Sequence, residues 1–253
     1  MNTATAMPVA RSVGIYLRDA RYEFLRTLRM PAAAVPMLVF PALFYLLFGV
    51  VFAGHNAHQA VYVLGSMGAF GVMSPGLFGF GIGVAVDRER GLLMFKRALP
   101  VPPAAYLAAK MAMALLFALL IFVILALLAV TLGGVRLAAL QWLGLLGAML
   151  LGVLPFCAIG LLIGSRASAQ AAPAIANLVF LPMSFLSGLW VPISAMPHLL
   201  QQAAPLWPAW YLGELCLRAV GMGPASPGPA IVALLAFTAV FFVLAVRRLR
   251  RSG

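Results

Sequence analysis

Hydrophobic residues fill long stretches of this chain, and short segments rich in charge, glycine or proline separate them. No Asp, Glu, Lys or Arg occurs between Arg29 and Asp87, a stretch of 57 residues. A membrane-spanning helix needs only about 20 residues, so this stretch holds two spans, with the polar cluster at 54–59 as their turn. The same pattern predicts six membrane-spanning helices, at about 32–53, 61–86, 108–132, 140–164, 171–190 and 230–246.

The segment at 12–29, directly before the first predicted span, has the spacing of an amphipathic helix. Its apolar residues recur three and four positions apart and share one face. The helix carries the charged residues Arg18, Asp19, Arg21, Glu23 and Arg26. Because a basic amphipathic helix before a span is typical of the membrane interface, we predict an interfacial helix at 12–29.

The uncharged stretch at 171–213 does not divide into two clean spans, because six prolines interrupt it. One span fits at 171–190. The remainder, at 191–221, is rich in proline and in tryptophan, a residue enriched at headgroup depth. We therefore predict that 191–221 forms short helices that dip into the outer edge of the membrane, as a re-entrant segment.

The composition excludes a soluble enzyme. Hydrophobic residues make up 64% of the chain, charged residues only 9%, and the mean hydropathy is +1.08. Soluble domains carry about 25% charged residues, and so few charges could not cover the surface of a water-soluble globule. The sequence therefore predicts an all-α membrane protein with one transmembrane domain over 1–253.

The positive charges indicate the orientation of this domain. The formal net charge is +12, and most Lys and Arg cluster at 11–29, 88–110 and 247–251. With six spans, 15 of the 17 Lys and Arg lie on one side, and only Arg136 and Arg218 lie on the other. By the positive-inside rule both termini are cytoplasmic. A nucleic-acid-binding protein would instead carry these charges on one solvated face.

No group of residues has the spacing of a catalytic site. No acid, Lys or Arg falls at mid-membrane depth, which argues against an ion-coupled carrier and an intramembrane hydrolase. The two cysteines have no CxxC or Cys/His spacing. His55, His58 and His198 map to the outer side, where they could form a metal site with Glu214, although no ligand motif links them.

The segment at 87–107 is the longest charged loop on the predicted cytoplasmic side. The chain has no G-x-x-x-x-G-K-[ST] phosphate-binding loop, so energy from ATP would have to arrive from another polypeptide. Leu92, Phe95 and Leu99 fall on one face of a short helix that Pro100 ends. Such a helix could insert into a groove of a partner or lie on the membrane surface, and the residues leave both readings open.

Two segments resemble the permeases of type-2 ABC exporters. The run D-R-E-R-G-L-L-M-F-K-R-A-L-P-V at 87–101 is similar to the signature E-x-E-[RK]-G-T-L-E…P-[VL] of that family. The run F-L-S-G-L-W-V-P at 185–192 is similar to the end of the fifth span, which a re-entrant outer segment follows. Leu92 and Met94 depart from the Thr and Glu that the family often has after the glycine.

This resemblance implies the membrane subunit of an ATP-driven exporter in a bacterial cell (inner) membrane. Two permease copies, identical or different, would pair above two separate ABC ATPase subunits. ATP and Mg²⁺ would bind to the ATPase, so this chain would carry no cofactor, metal or catalytic residue. The ATPase-coupling residues would be Asp87, Arg88, Glu89, Arg90, Gly91, Leu92, Phe95, Leu99 and Pro100. Those of the outer re-entrant segment would be Ser187, Gly188, Pro192, Pro197, Pro208 and Tyr211.

The expected substrate is amphipathic, lipid-like, drug-like or a glycan, because the predicted pathway is lined by Gly, Phe, Met and Leu. Membrane lipid is an expected partner and nucleic acid is not. Two alternatives remain: a membrane scaffold that transports nothing, and a secondary carrier that uses the outer histidines.

Overall fold

The structure is a computed structural model that describes residues 9–54, 56–92, 103–223 and 226–251. These residues form helices joined by turns, with no strand among them. The α-helices are α1 (Val9–Leu28), α2 (Pro31–Phe44), α3 (Ala57–Ser74), α4 (Gly83–Glu89), α5 (Pro103–Thr131), α6 (Ala139–Arg166), α7 (Ala172–Leu186), α8 (His198–Ala203), α9 (Pro208–Ala219) and α10 (Gly228–Arg251). Segments Tyr45–Val51 and Pro75–Ile82 are π-helical, and Ile193–Ala195 and Ala204–Leu206 are 3-10 turns.

Five of the six predicted spans correspond to helical segments that are long and apolar enough to cross a membrane. These segments are Ala33–Val51, Ala57–Glu89, Tyr106–Thr131, Ala139–Arg166 and Gly228–Arg248. The fifth predicted span corresponds to α7, which is apolar but only 15 residues long. The count of six spans therefore remains a prediction.

The helical run Ala57–Glu89, which we call the second span, lies at the centre of the bundle and packs against α2, α5, α6 and α9. Its contact with α6 is made between glycines. A Cβ built on Gly76 would lie 2.7 Å from the backbone nitrogen of Cys157, and one built on Gly81 would lie 2.9 Å from the carbonyl oxygen of Gly160. The two backbones therefore touch, as the glycine content of the second predicted span indicates.

The spacing Gly79-x-x-x-Gly83 is a small-x-x-x-small pattern, which favours a helix–helix contact through this pair. The glycines that meet α6 are instead Gly76 and Gly81. Pro75 opens the π-helical turn and cannot donate a hydrogen bond to the carbonyl of Gly71, which accepts one from the Ser74 hydroxyl at 2.8 Å instead. Because π-helical hydrogen bonds join residues five apart, Gly76 and Gly81 come onto one face.

Helix α1 lies along the first turns of α5, where the rings of Phe24 and Phe117 pack with centroids 5.1 Å apart. The faces of α1 differ from the expected ones. Glu23 is buried, whereas Leu17 on the predicted apolar face is 67% exposed. A helix is present at the predicted place, but its buried side includes an acidic group, with the partly buried Arg26 beside it. Its position in the membrane interface remains a prediction.

The predicted re-entrant segment contains α8, α9 and two 3-10 turns. Helix α9 is buried and packs antiparallel to the first half of α6. Leu212, early in α9, lies against Gly152, and Ala219, at its end, lies against Gly144. The start of α9 therefore lies near the middle of α6, and the end of α9 lies near the start of α6.

Candidate functional site

Five polar side chains from three elements meet at one end of the bundle. We call them the ionic cluster: Glu23 and Arg26 of α1, Asp87 of α4, and Tyr106 and Lys110 of α5. Side chains three or four residues apart share a helix face, so α1 and α5 each present two of these groups together. Asp87, near the end of the second span, lies between them.

Lys110 is the centre of the ionic cluster. Its Nζ lies 3.1 Å from Oε2 of Glu23 and 2.9 Å from Oδ2 of Asp87, and it sits 5.1 Å from the centre of the Tyr106 ring. The side chains of Lys110 and Asp87 are each only 1% exposed. One ammonium group therefore joins α1 to the second span through two buried carboxylates.

Both carboxylate oxygens of Asp87 are used. Oδ2 accepts a hydrogen bond from the Tyr106 hydroxyl at 2.9 Å, and Oδ1 accepts one from Nη1 of Arg26 at 3.0 Å. Partial burial is the largest single influence on the pKa of Arg26 and acts to lower it, but the hydrogen bond to Asp87 and the negative charges of Asp87 and Glu23 together outweigh it and hold the pKa above its ordinary value. A buried charge is tolerated only with such partners.

The second span leaves space for the ammonium group through a glycine. Gly83 lies one turn before Asp87, and a Cβ built on it would be 2.8 Å from Nζ of Lys110. Any larger residue at this position would push Lys110 away from its two carboxylates. The glycine at position 83 thus fits the cluster, whereas the sequence pattern suggested a helix–helix contact.

The end of α4 is also tied to the turn at 167–171 between α6 and α7. Nη2 of Arg88 donates a hydrogen bond to the carbonyl oxygen of Ala167 at 2.8 Å. Oε1 of Glu89 accepts one from the backbone N–H of Ala169 at 2.9 Å. A displacement of α4 would therefore pull on this turn as well as on α1 and α5.

The predicted ATPase-coupling residues differ in their burial and in what they contact. Asp87 is buried in the ionic cluster, so it is not free to contact a partner. Arg88 and Glu89 bond the turn at 167–171, and the exposed Arg90 follows them. The next two, Gly91 and Leu92, end the described part of this segment, and Gly91 has φ +71°, which ends the helix with a left-handed residue. Three of the predicted residues lie outside the described residues: Phe95, Leu99 and Pro100.

The five charged residues predicted for the interfacial helix also differ in burial. Glu23 and Arg26 belong to the ionic cluster, whereas Arg18 and Arg21 are exposed and Asp19 is partly exposed. The structure thus divides α1 into a charged pair, of which Glu23 is buried and Arg26 partly buried, and an exposed basic surface.

The predicted residues of the outer segment lie in the turn after α7, beside a 3-10 turn and at the start of α9. Ser187 is buried and Gly188 has φ +77° in the turn after α7. Pro208 begins α9, and Tyr211 packs against Trp210 with ring centroids 4.8 Å apart. The other two residues, Pro192 and Pro197, flank the 3-10 turn Ile193–Ala195.

Sequence reasoning missed Tyr106 and Lys110. It assigned Lys110 to a solvated block of loop charges, but the residue is buried in the second turn of the span Tyr106–Thr131. The signal was present, because Lys110 is the only charged residue between 104 and 135. A charge inside an apolar run marks a functional or structural site by default.

The histidines do not gather into a metal site in the described part of the chain. Within it, no three His, Cys, Asp or Glu side chains are close enough to hold an ion, and His55 lies outside the described residues. Glu214 is half-buried in α9, and this burial raises the pKa of its carboxyl above the ordinary value.

Comparison with known proteins identifies the family. The family model described as "ABC-2 type transporter" matches residues 19–220. The chain belongs to this family. It is similar over 226 residues to the protein named "Putative transport permease YvfS" of Bacillus subtilis (strain 168), at 27% identity, and the match covers 88% of this chain and 91% of that protein. It is therefore a multi-pass transport permease of the ABC-2 type.

Proposed function

We propose that this chain is the membrane-spanning subunit of an ATP-driven exporter, powered by separate ABC ATPase subunits. The family to which the chain belongs supports its assignment as a permease subunit. The proposed coupling to the ATPase is based on the ionic cluster. This cluster joins α1, the second span and α5 beside the charged loop at 87–107. ATP and Mg²⁺ are held by the ATPase, and the substrate is amphipathic, lipid-like, drug-like or a glycan.

The ionic cluster suits the transfer of motion from the loop to the spans. A force on α4 reaches α5 through Lys110 and Tyr106, reaches α1 through Arg26, and reaches the α6–α7 turn through Glu89. Because buried charges cannot be left unpaired at low cost, these helices move together or exchange partners. Such an exchange supplies the two arrangements that a switch between inward-open and outward-open states requires.

We further propose one transmembrane domain over 1–253 with six spans and both termini in the cytoplasm of a bacterial cell. In this arrangement α1 lies in the interface, α7 is the fifth span, and 191–221 enters the outer leaflet and returns. The antiparallel packing of α9 on α6 supports the return. The apolar residues that α2 and α7 expose, among them Phe40 and Leu178, support contact with lipid or a second permease copy.

Cysteine labelling tests the orientation on intact cells. The native Cys157 and Cys216 are buried, so they contribute little background. His58→Cys should react with a membrane-impermeant maleimide from outside, and Arg90→Cys only after the membrane is opened. The reverse pattern would overturn the orientation, and with it the placement of the loop beside an ATPase.

Cross-linking tests the ATPase partner. A tagged Arg90→Cys variant, treated with a short bifunctional maleimide in native membranes, should form an adduct with an ABC ATPase. His58→Cys, at the opposite end of the second span, is the matched control and should form none. Adducts with no ATPase would favour the membrane scaffold, and substrate export that persists without ATP would favour the secondary carrier.

A further inference from the structure

The packing of α9 on α6 gives the depth of Glu214 in the membrane. Leu212 lies against Gly152, near the middle of α6, and α9 runs from there back towards the start of α6. Gly152 is about 20 Å along α6 and Glu214 follows Leu212 by two residues, so Glu214 lies about 16 Å along α6. Helix α6 is about 42 Å long, and the hydrocarbon core of a bilayer is about 30 Å thick. With α6 centred in the bilayer, Glu214 lies about 10 Å inside the hydrocarbon layer.

Among the described residues, none neutralises the Glu214 carboxylate. It forms no hydrogen bond or ion pair within that part of the chain, and Arg218, one turn further along α9, does not act on its charge. Glu214 is also only half-buried, so its carboxylate is within reach of a molecule that lies beside α9. An ionisable side chain inside a membrane is costly, and it marks a route for a substrate or an ion. An unpaired carboxylate at this depth therefore indicates a cationic ligand.

The side chains near Glu214 are aromatic. Tyr62 of α3 is close enough to Glu214 for the two groups to interact electrostatically. Trp210 and Tyr211 lie one turn before Glu214 on α9, with their ring centroids 4.8 Å apart. Residues three and four apart share a helix face, so these two rings lie on the same side of α9 as the carboxylate. Aromatic faces attract organic cations, so this surface favours a cation with an apolar body over an anion.

A polar stripe on α3 leads from this surface to the outer end of the bundle. His58, Tyr62 and Ser66 follow one another at intervals of one turn, so they share a face of α3. His58 is exposed, Tyr62 is partly exposed and Ser66 is buried. Helix α3 packs against α9 at Leu217, one turn from Glu214. The stripe therefore offers a charged group polar contacts between Glu214 and the outer surface.

We propose that Glu214 binds the positive group of the molecule that this permease exports, and that this molecule is an amphipathic cation. The cation pairs with the Glu214 carboxylate beside Tyr62 and Trp210, and it leaves along the polar stripe of α3. The ammonium group of a lipid lies in the headgroup region, outside the hydrocarbon layer, so a transported molecule fits the depth of Glu214 better. This proposal rests on the proposed export function, because it names the class of molecule that is exported.

Two probes of the same shape and opposite charge, tetraphenylphosphonium and tetraphenylborate, test the site. Equilibrium dialysis with the purified permease in a neutral detergent, without ATP, measures their binding. The wild-type chain should bind tetraphenylphosphonium about fivefold more tightly than Glu214→Gln does, whereas tetraphenylborate should bind no less tightly to the variant. Glu214→Asp keeps the carboxylate and should retain part of the preference. Asp19→Asn, which removes an acid of α1, is the matched control and should bind both probes as the wild type does.

The outcomes separate this site from the other proposals. Equal binding of tetraphenylphosphonium by the wild type and a folded Glu214→Gln variant would overturn the site. Phosphatidylethanolamine should compete only weakly, and competition as strong as that of unlabelled tetraphenylphosphonium would assign the site to a lipid instead.

Transport links the site to export. ATP-dependent uptake of tetraphenylphosphonium into inverted membrane vesicles should fall in Glu214→Gln, and unchanged uptake would overturn the role of Glu214 in transport. The dialysis needs neither ATP nor an ATPase. Normal binding together with no ATPase adduct of Arg90→Cys would therefore overturn ATP-driven export and leave the cation site in place.

Discussion

The second span makes two contacts of opposite character along its length. In its middle, Gly76 and Gly81 touch α6 backbone to backbone, with no side chain between them. At its end, Asp87 reaches α1 and α5 entirely through charged and polar side chains. The first contact is apolar and close, and the second is an ion network buried in an apolar bundle.

These contacts differ in what they permit. Touching backbones have no rotamers to change, so the second span and α6 are held as one rigid pair. Asp87 has two cationic partners on different helices, and Lys110 has two anionic partners. Partners can therefore be exchanged without leaving a charge bare. We infer that the second span and α6 stay fixed relative to each other, whereas the helices that the ionic cluster joins can move relative to one another.

The largest effect is expected at the glycine contact. Gly160→Leu would drive a side chain into the carbonyl of Gly76, which is backbone and cannot turn aside, so the folded state should lose about 5 kcal/mol or more. The yield of monodisperse protein in size-exclusion chromatography and the unfolding temperature measure this loss. Leu143→Phe, at a 65% exposed position on the same helix, is the control. Equal behaviour of the two variants would contradict the rigid contact.

Removal of the central cation should have the next largest effect. Lys110→Met leaves two buried carboxylates with Arg26 as the one remaining cation of the ionic cluster, which should cost about 3–5 kcal/mol of unfolding free energy. The double variant Lys110→Met/Asp87→Asn should recover part of this loss, and Arg21→Met, at an exposed position, should change little. Thermal unfolding in detergent measures all three. A silent Lys110→Met would show that the cluster does not hold these helices together.

Arg26→Lys should affect function more than stability. The Arg26 side chain is 38% exposed, so the substitution should cost less than about 1 kcal/mol. Nη1 of Arg26 lies 3.0 Å from Oδ1 of Asp87 and 3.8 Å from Oε1 of Glu23, and Lys lacks the rigid planar guanidinium that places this nitrogen between them. ATP-dependent export should fall in Arg26→Lys and stay normal in the Arg18→Lys/Arg21→Lys double variant. A loss confined to the double variant would assign the role of α1 to its exposed basic surface.

The smallest effect on stability is expected for Glu89→Ala. It removes one exposed hydrogen bond, to the N–H of Ala169, which water can replace, so the loss should be about 0.5 kcal/mol. The chain should still insert and accumulate, but ATP hydrolysis should proceed with less export. Glu89→Gln retains an acceptor oxygen and should keep most of the export. Full export by Glu89→Ala would show that this carboxylate is an ordinary solvated charge.

The apolar runs of the sequence determined most of the architecture. A run of about 20 apolar residues partitions into a bilayer whatever surrounds it, and five of the six predicted spans are found as helices of suitable length and composition. The motifs at 87–101 and 185–192 indicated the family, which the match over 19–220 confirms. Both properties are local, so they can be recognised without knowing which helices are neighbours.

Which faces meet was decided only by the tertiary structure. Lys110 and Glu23 are 87 positions apart, and Arg26 and Asp87 are 61 apart, so no local pattern pairs them. The spacing Gly79-x-x-x-Gly83 did not show which glycines meet α6, because Pro75 opens a π-helical turn, which shifts every later residue around the axis. Partition into the membrane depends on composition alone. Charge pairing and glycine contacts depend on how helices rotate against one another, and the whole bundle sets that rotation.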